Sequence, residues 1–121
     1  MSTSTVPSGT NLTVLVGTLK GEPELRPLPS GSIITTLQVT IAREGERAES
    51  VPVAWFDAPP PTATWAEGDE VLVTGRTVRR FFRAGGSTQS RTEVVATIVV
   101  PTRRAAAARK ALTAALEPLC G

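Results

Sequence analysis

Hydrophobic and polar positions alternate along most of this chain, and the alternation predicts strands. In Asn11–Leu19, Leu12, Val14 and Val16 fall on one face, with Leu15 and Leu19 on the other. Gly17 inside that run points to a bend or a close backbone approach. Gly21-Glu22-Pro23 and Pro27-Leu28-Pro29-Ser30-Gly31 read as turns. Ser32–Ala42 has the cleanest period of two. Ile33, Thr35, Leu37, Val39 and Ile41 form one face, and Ile34, Thr36, Gln38 and Thr40 the mostly polar other. Arg43–Ser50 is a charged loop. A third strand follows over Val51–Phe56, where Pro52 removes a ladder hydrogen bond and marks an edge or a bulge. Ala58-Pro59-Pro60-Pro61 breaks it, and Thr62–Glu67 predicts one or two helical turns with Trp65 inward.

The fourth strand begins at Glu70. Val71-Leu72-Val73 is apolar on both faces, as in a buried strand. After Gly75 the core character stops, but strand propensity does not: Arg76, Arg79, Arg80, Phe81, Phe82 and Arg83 follow. Ala84-Gly85-Gly86-Ser87 is a hairpin turn. The fifth strand, Arg91–Val100, has Val94, Ala96, Ile98 and Val100 on one face and Val95 and Val99 on the other, and Pro101 ends it. Residues 1–10 read as a flexible lead. Residues 102–121 form an Ala/Arg-rich segment with Leu112 and Leu116 at i, i+4 spacing. That pattern predicts a short amphipathic helix stopped near Pro118, ordered only if it docks on something.

Five strands with a short helix between the third and fourth is the element order of an all-β OB-fold, a five-stranded Greek-key barrel, here spanning residues 11–101. At 121 residues the chain suffices for one such domain with a modest core. Composition changes the picture mainly by exclusion. With no histidine and one cysteine, Cys120, the chain has no histidine general base, no Cys-His nucleophile, no internal disulfide and no Cys/His metal set. The close carboxylate pairs, Glu22 with Glu24 and Asp69 with Glu70, are explained by turn and strand-start positions, so no enzyme activity and no cofactor is expected. No stretch is long and apolar enough to span a bilayer, and the polar N-terminus is no signal peptide. A cytoplasmic protein without a membrane partner is therefore expected.

Net charge is only +2, yet the segment from Gly75 to Thr92 holds five arginines, no acid and two of the chain's five aromatic residues. Water-accessible aromatics flanked by cations suit a single-stranded nucleic acid: bases stack, and guanidinium groups meet phosphates and also stack. Five phosphate contacts would give a log K against log salt slope of roughly −3 to −4. The same exposed Phe pair also fits a ribbon packed on a neighbouring subunit. In that reading the barrel is a protein-interaction module, and both phenylalanines are protected from solvent in the free protein. RNA in place of DNA remains an equal alternative at this point.

Four stretches carry a family resemblance. Asn11-Leu-Thr-Val-Leu-Val-Gly-Thr-Leu19 is followed by Glu22-Pro-Glu-Leu-Arg26 and Pro29-Ser-Gly31, and Gly68-Asp-Glu-Val-Leu-Val-Thr-Gly-Arg76 follows at the expected distance. In that order, from about Asn11 to Val100, they resemble the bacterial single-stranded DNA-binding protein. The resemblance implies a homotetramer, or a dimer, that coats single-stranded DNA during replication, repair or recombination in the bacterial cytoplasm, associated with the nucleoid. It implies stacking at Phe56 and Phe82, with Phe81 beside them, and phosphate contacts at Arg26, Arg43, Arg76, Arg80, Arg83 and Arg91. Trp55 and Trp65 are expected in the core. Ser50 stands where the family has a tryptophan, and the loop after the second strand is acidic and lacks an aromatic, so weaker or narrower binding is expected. A basic Ala-rich segment occupies the end of this sequence in place of the family's acidic tip. The recruitment of replication or repair proteins is therefore not carried over.

Overall fold

A computed structural model describes residues 6–59 and 65–120. The elements are β1 (Thr13–Leu19), β2 (Glu24–Pro27), β3 (Ile33–Ile41), β4 (Glu49–Phe56), β5 (Glu70–Ala84), β6 (Ser87–Pro101) and α1 (Ala105–Cys120). The six strands form one sheet in the order β1-β5-β6-β4-β3-β2, and β1 also pairs with β3. That last pairing, Thr18 with Thr40 and Leu19 with Val39, closes β1, β5, β6, β4 and β3 into a ring. All pairs are antiparallel except β4 with β6, which run parallel over Val53–Ala54 and Val94–Val95.

The alternation seen in the sequence becomes inside and outside. Leu37 and Val39 of β3, Val53 and Trp55 of β4, Val71 and Val73 of β5, and Val94 and Val99 of β6 fill the interior. Burying each such side chain contributes about 1.5–3 kcal/mol relative to leaving it exposed. Trp65 is also buried and stacks on Trp55, with ring centroids 6.0 Å apart and an interplanar angle of 18°. On β1 the inner face is Leu15 and Leu19, while Val14 and Val16 point outward. A side chain at Gly17 would start 2.3 Å from the Thr40 carbonyl oxygen, so glycine is what lets β1 cross onto β3 and close the ring.

Two expectations from the sequence change. The first is the strand count, which is six rather than five. Glu24–Pro27, between and overlapping the two stretches that read as turns, is extended and pairs with β3 from Ile33 to Thr36. Proline's fixed φ suits an extended chain, and its missing N–H is tolerated at an edge. The second concerns the helical turns expected over Thr62–Glu67: residues 62–64 lie outside the described residues, and Trp65–Asp69 has no helix. A turn there places Gly68 at φ 93°.

The C-terminal helix forms and runs through Pro118 to Cys120. A proline in the last turn deletes a single intrahelical bond, so it does not stop the helix there. α1 opens with the Ala108 amide donating to the Arg104 carbonyl. It docks on the outside of the ring, where Ala111 is buried against Leu72 and Val100, with Ala107, Ala108 and Leu112 half-buried around them.

Candidate nucleic-acid interface

The register decides which sequence-predicted residues meet. Arg26, Ile34 and Phe56 form one row across β2, β3 and β4. Thr36, Ala54, Val95 and Arg76 form the next, across β3, β4, β6 and β5. Strand alternation then carries the outer face along β5 through Val78, Arg80 and Phe82, opposite Glu93, Arg91 and Gln89 of β6. Arg26, Phe56, Arg76, Arg80, Phe82 and Arg91 therefore share the outer face of the sheet. Phe56 is 39% and Phe82 43% exposed, so each ring is open to solvent in part.

Gly75 shapes this face. β5 and β6 slip register between Thr74 and Gly75, and a Cβ at Gly75 would sit 2.1 Å from the Val95 carbonyl oxygen. Beyond this bulge the two strands leave the ring as a ribbon, paired from Arg76–Val95 out to Ala84–Ser87. The ribbon ends in Gly85 and Gly86, both at positive φ, as a two-residue hairpin turn requires. At the other end of the face, Asp57 holds Phe56 in place. Its amide donates to the Ile33 carbonyl at 2.8 Å, and its carboxylate accepts from the Ile33 amide at 3.1 Å. Asp57 takes φ 53° to do so, a conformation that aspartate tolerates better than most residues.

The remaining predicted residues lie apart. Phe81 and Arg83 project from the opposite side of the ribbon, and Phe81 is 68% exposed. Arg43 sits in the β3–β4 loop, ion-paired to Glu46 at 3.0 Å. Ser50 faces outward, its hydroxyl donating to the Gln38 side-chain oxygen at 3.2 Å, so this part of the face is polar.

Glu93 is the residue that the sequence reading missed. It lies on the outer face, is 7% exposed, and pairs with Arg80. Its backbone partner is Val78, which makes Arg80 its diagonal neighbour across the ribbon. The signal was present in the chain: Glu93 is the one acid between Arg91 and Pro101, just past the basic segment. Among the described residues, Arg26, Arg76, Arg83 and Arg91 make no ion pair within 4.0 Å, whereas Arg43 and Arg80 do. The outer face thus presents two aromatic rings and three unpaired guanidinium groups, with a fourth neutralised by Glu93.

Among the described residues no group of three or more metal-ligating side chains comes together, and no helix is long and apolar enough to cross a membrane. No protein-family model matches the chain, and no curated protein matches it at a significant level.

Proposed function

We propose that the closed sheet is an OB-fold barrel and that its outer face binds single-stranded DNA with little sequence preference, protecting it during replication, repair or recombination. Support for the barrel class comes from the five-stranded ring with a single parallel pair, to which β2 adds an edge. The observation that carries the binding reading is the placement of Phe56 and Phe82, both open to solvent, on one face with unpaired Arg26, Arg76 and Arg91. Stacking every base on a π-face explains tolerance of sequence. A groove-reading protein would need hydrogen-bonding side chains directed at base edges. Self-association is part of the proposal. β1 pairs with β3 only at Thr18 and Leu19, so its edge from Thr13 to Val16 has no strand partner among the described residues, and Val14 and Val16 are exposed beside it.

The test is fluorescence anisotropy of labelled oligo-dT against matched duplex. A labelled strand is needed because Trp55 and Trp65 are both buried and report poorly on the surface. Phe82→Ala and Phe56→Ala are each expected to weaken single-strand binding by about 1–3 kcal/mol, or about 5- to 150-fold. Phe81→Ala, on the far side of the ribbon, should cost less than either. Equal affinity for single strand and duplex would overturn the reading.

A further inference from the structure

Helix α1 does not fill the surface it covers. Between it and strands β5 and β6 lies a cleft of about 770 Å³. Thr74, Ile98 and Val100 form the floor, and the alanine face of α1 from Ala107 to Ala115, continued by Leu119, forms one wall. A methyl group is too short to reach the sheet along the whole helix, and among the described residues of the helix only Ala111 is buried against it. From Ala107 to Leu119 the trough is roughly 18 Å long at the helical rise of 1.5 Å per residue.

The opposite wall is Thr10–Leu12. It is held in place by Asn11, whose side chain donates to the Thr77 carbonyl at 2.8 Å and accepts from the Thr77 amide at 3.0 Å. Among the described residues no acid lines the cleft. Its charged residues are Arg76 and Lys110, and neither makes an ion pair within 4.0 Å among the described residues.

We infer that this cleft binds a single-chain amphipathic anion, a fatty carboxylate, with its alkyl chain along the alanine face and its carboxylate on Arg76 or Lys110. The cations select the sign of the head group. The backbone of β5 and α1, which bounds most of the trough, favours an alkyl chain over a peptide. β5 is paired on one side by β1 and on the other by β6, and α1 bonds internally. A peptide laid in the trough would bury amide groups that find few partners there, which is costly, while an alkyl chain buries none.

Isothermal titration of the full chain with decanoate, dodecanoate and tetradecanoate below their micelle concentrations, and with dodecanol, tests the inference. Each added methylene should tighten binding about fourfold. Dodecanoate should bind more tightly than dodecanol. Ala115→Phe fills the trough and should abolish binding of all four, while the oligo-dT affinity of the same variant stays unchanged, so this result stands or falls apart from the DNA reading. Lys110→Glu, on an exposed helix position, reverses one of the two cleft charges and should shrink the advantage of dodecanoate over dodecanol while keeping the chain-length dependence, and this holds the test if the filled variant does not fold. Arg76 is left intact because it also lies on the proposed DNA face. Affinity independent of chain length, equal affinity for carboxylate and alcohol, or undiminished binding in a folded Ala115→Phe protein would each overturn the inference. So would tight capture of an acidic, apolar peptide with no binding of the carboxylates.

Discussion

Two residues set the geometry and the charge of the outer face. Gly75 is at the bulge, with the β6 backbone where its side chain would be. Gly75→Ala must push the strands apart or shift the Val95 carbonyl, and overpacking of this kind costs about 1–3 kcal/mol. A lowered chemical-denaturation midpoint is the expected result, and an unchanged one would mean that the bulge relaxes freely. Glu93 acts on charge instead. Paired with Arg80 on the ribbon, it withholds one guanidinium from any phosphate. Glu93→Gln removes the competing charge and keeps a side chain that can still accept a hydrogen bond. It should tighten oligo-dT binding and make the salt slope steeper by about 0.7, the increment for one added phosphate contact on a single strand.

At the scale of elements, the β5–β6 ribbon and the ring are separable. The ring is held by the interior cluster of Leu37, Val39, Val53, Val71, Val73 and their neighbours, to which the ribbon beyond Val78 and Glu93 adds no interior side chain. Replacing Arg80–Arg91 by an Asn-Gly turn, together with Glu93→Gln so that no buried carboxylate loses its Arg80 partner, should therefore leave the thermal unfolding midpoint within a few degrees of the parent, since the turn closes the shortened ladder without strain. The same variant should lose most single-strand affinity, because it removes Phe82, Arg80 and Arg91 together. Retained affinity in a folded ribbonless protein would move the site wholly onto β2, β3 and β4. The ribbon itself was legible in the chain: strand propensity continuing past Gly75, five arginines and a Gly-Gly turn. Edge strand β2 was not, because extended proline segments and turns share their local chemistry and differ only in whether a neighbour such as β3 is present to pair.

For the whole molecule, a net charge of +2 offers little long-range attraction, so salt dependence must come from the local face. Counting the arginines of the basic segment predicts a slope of roughly −3 to −4. The structure places Arg26, Arg76 and Arg91 unpaired on the outer face, pairs Arg80 with Glu93, and turns Arg83 to the other side. Three contacts at about 0.7 each predict a log K against log salt slope near −2 for oligo-dT. A titration from low to moderate salt checks this, and a slope of −4 would mean that both sides of the ribbon are engaged.

Alternation was enough to predict an all-β chain and its main strands, and alanine propensity with the Leu112–Leu116 spacing a C-terminal helix that needs a docking surface. Those features follow from period, propensity and the need to bury apolar area, all of which are local to a segment. Which arginines and phenylalanines stand together was decided by tertiary structure. Phe81 and Phe82 are neighbours in the chain and lie on opposite sides of the ribbon, whereas Arg26 and Phe56 are thirty residues apart and lie in one row. Pairing register and a one-residue bulge determine that outcome, and both depend on strands that meet only once the ring has closed. The Arg80–Glu93 pair and the cleft under α1 belong to the same class, since each needs two segments whose contact no single stretch of sequence encodes.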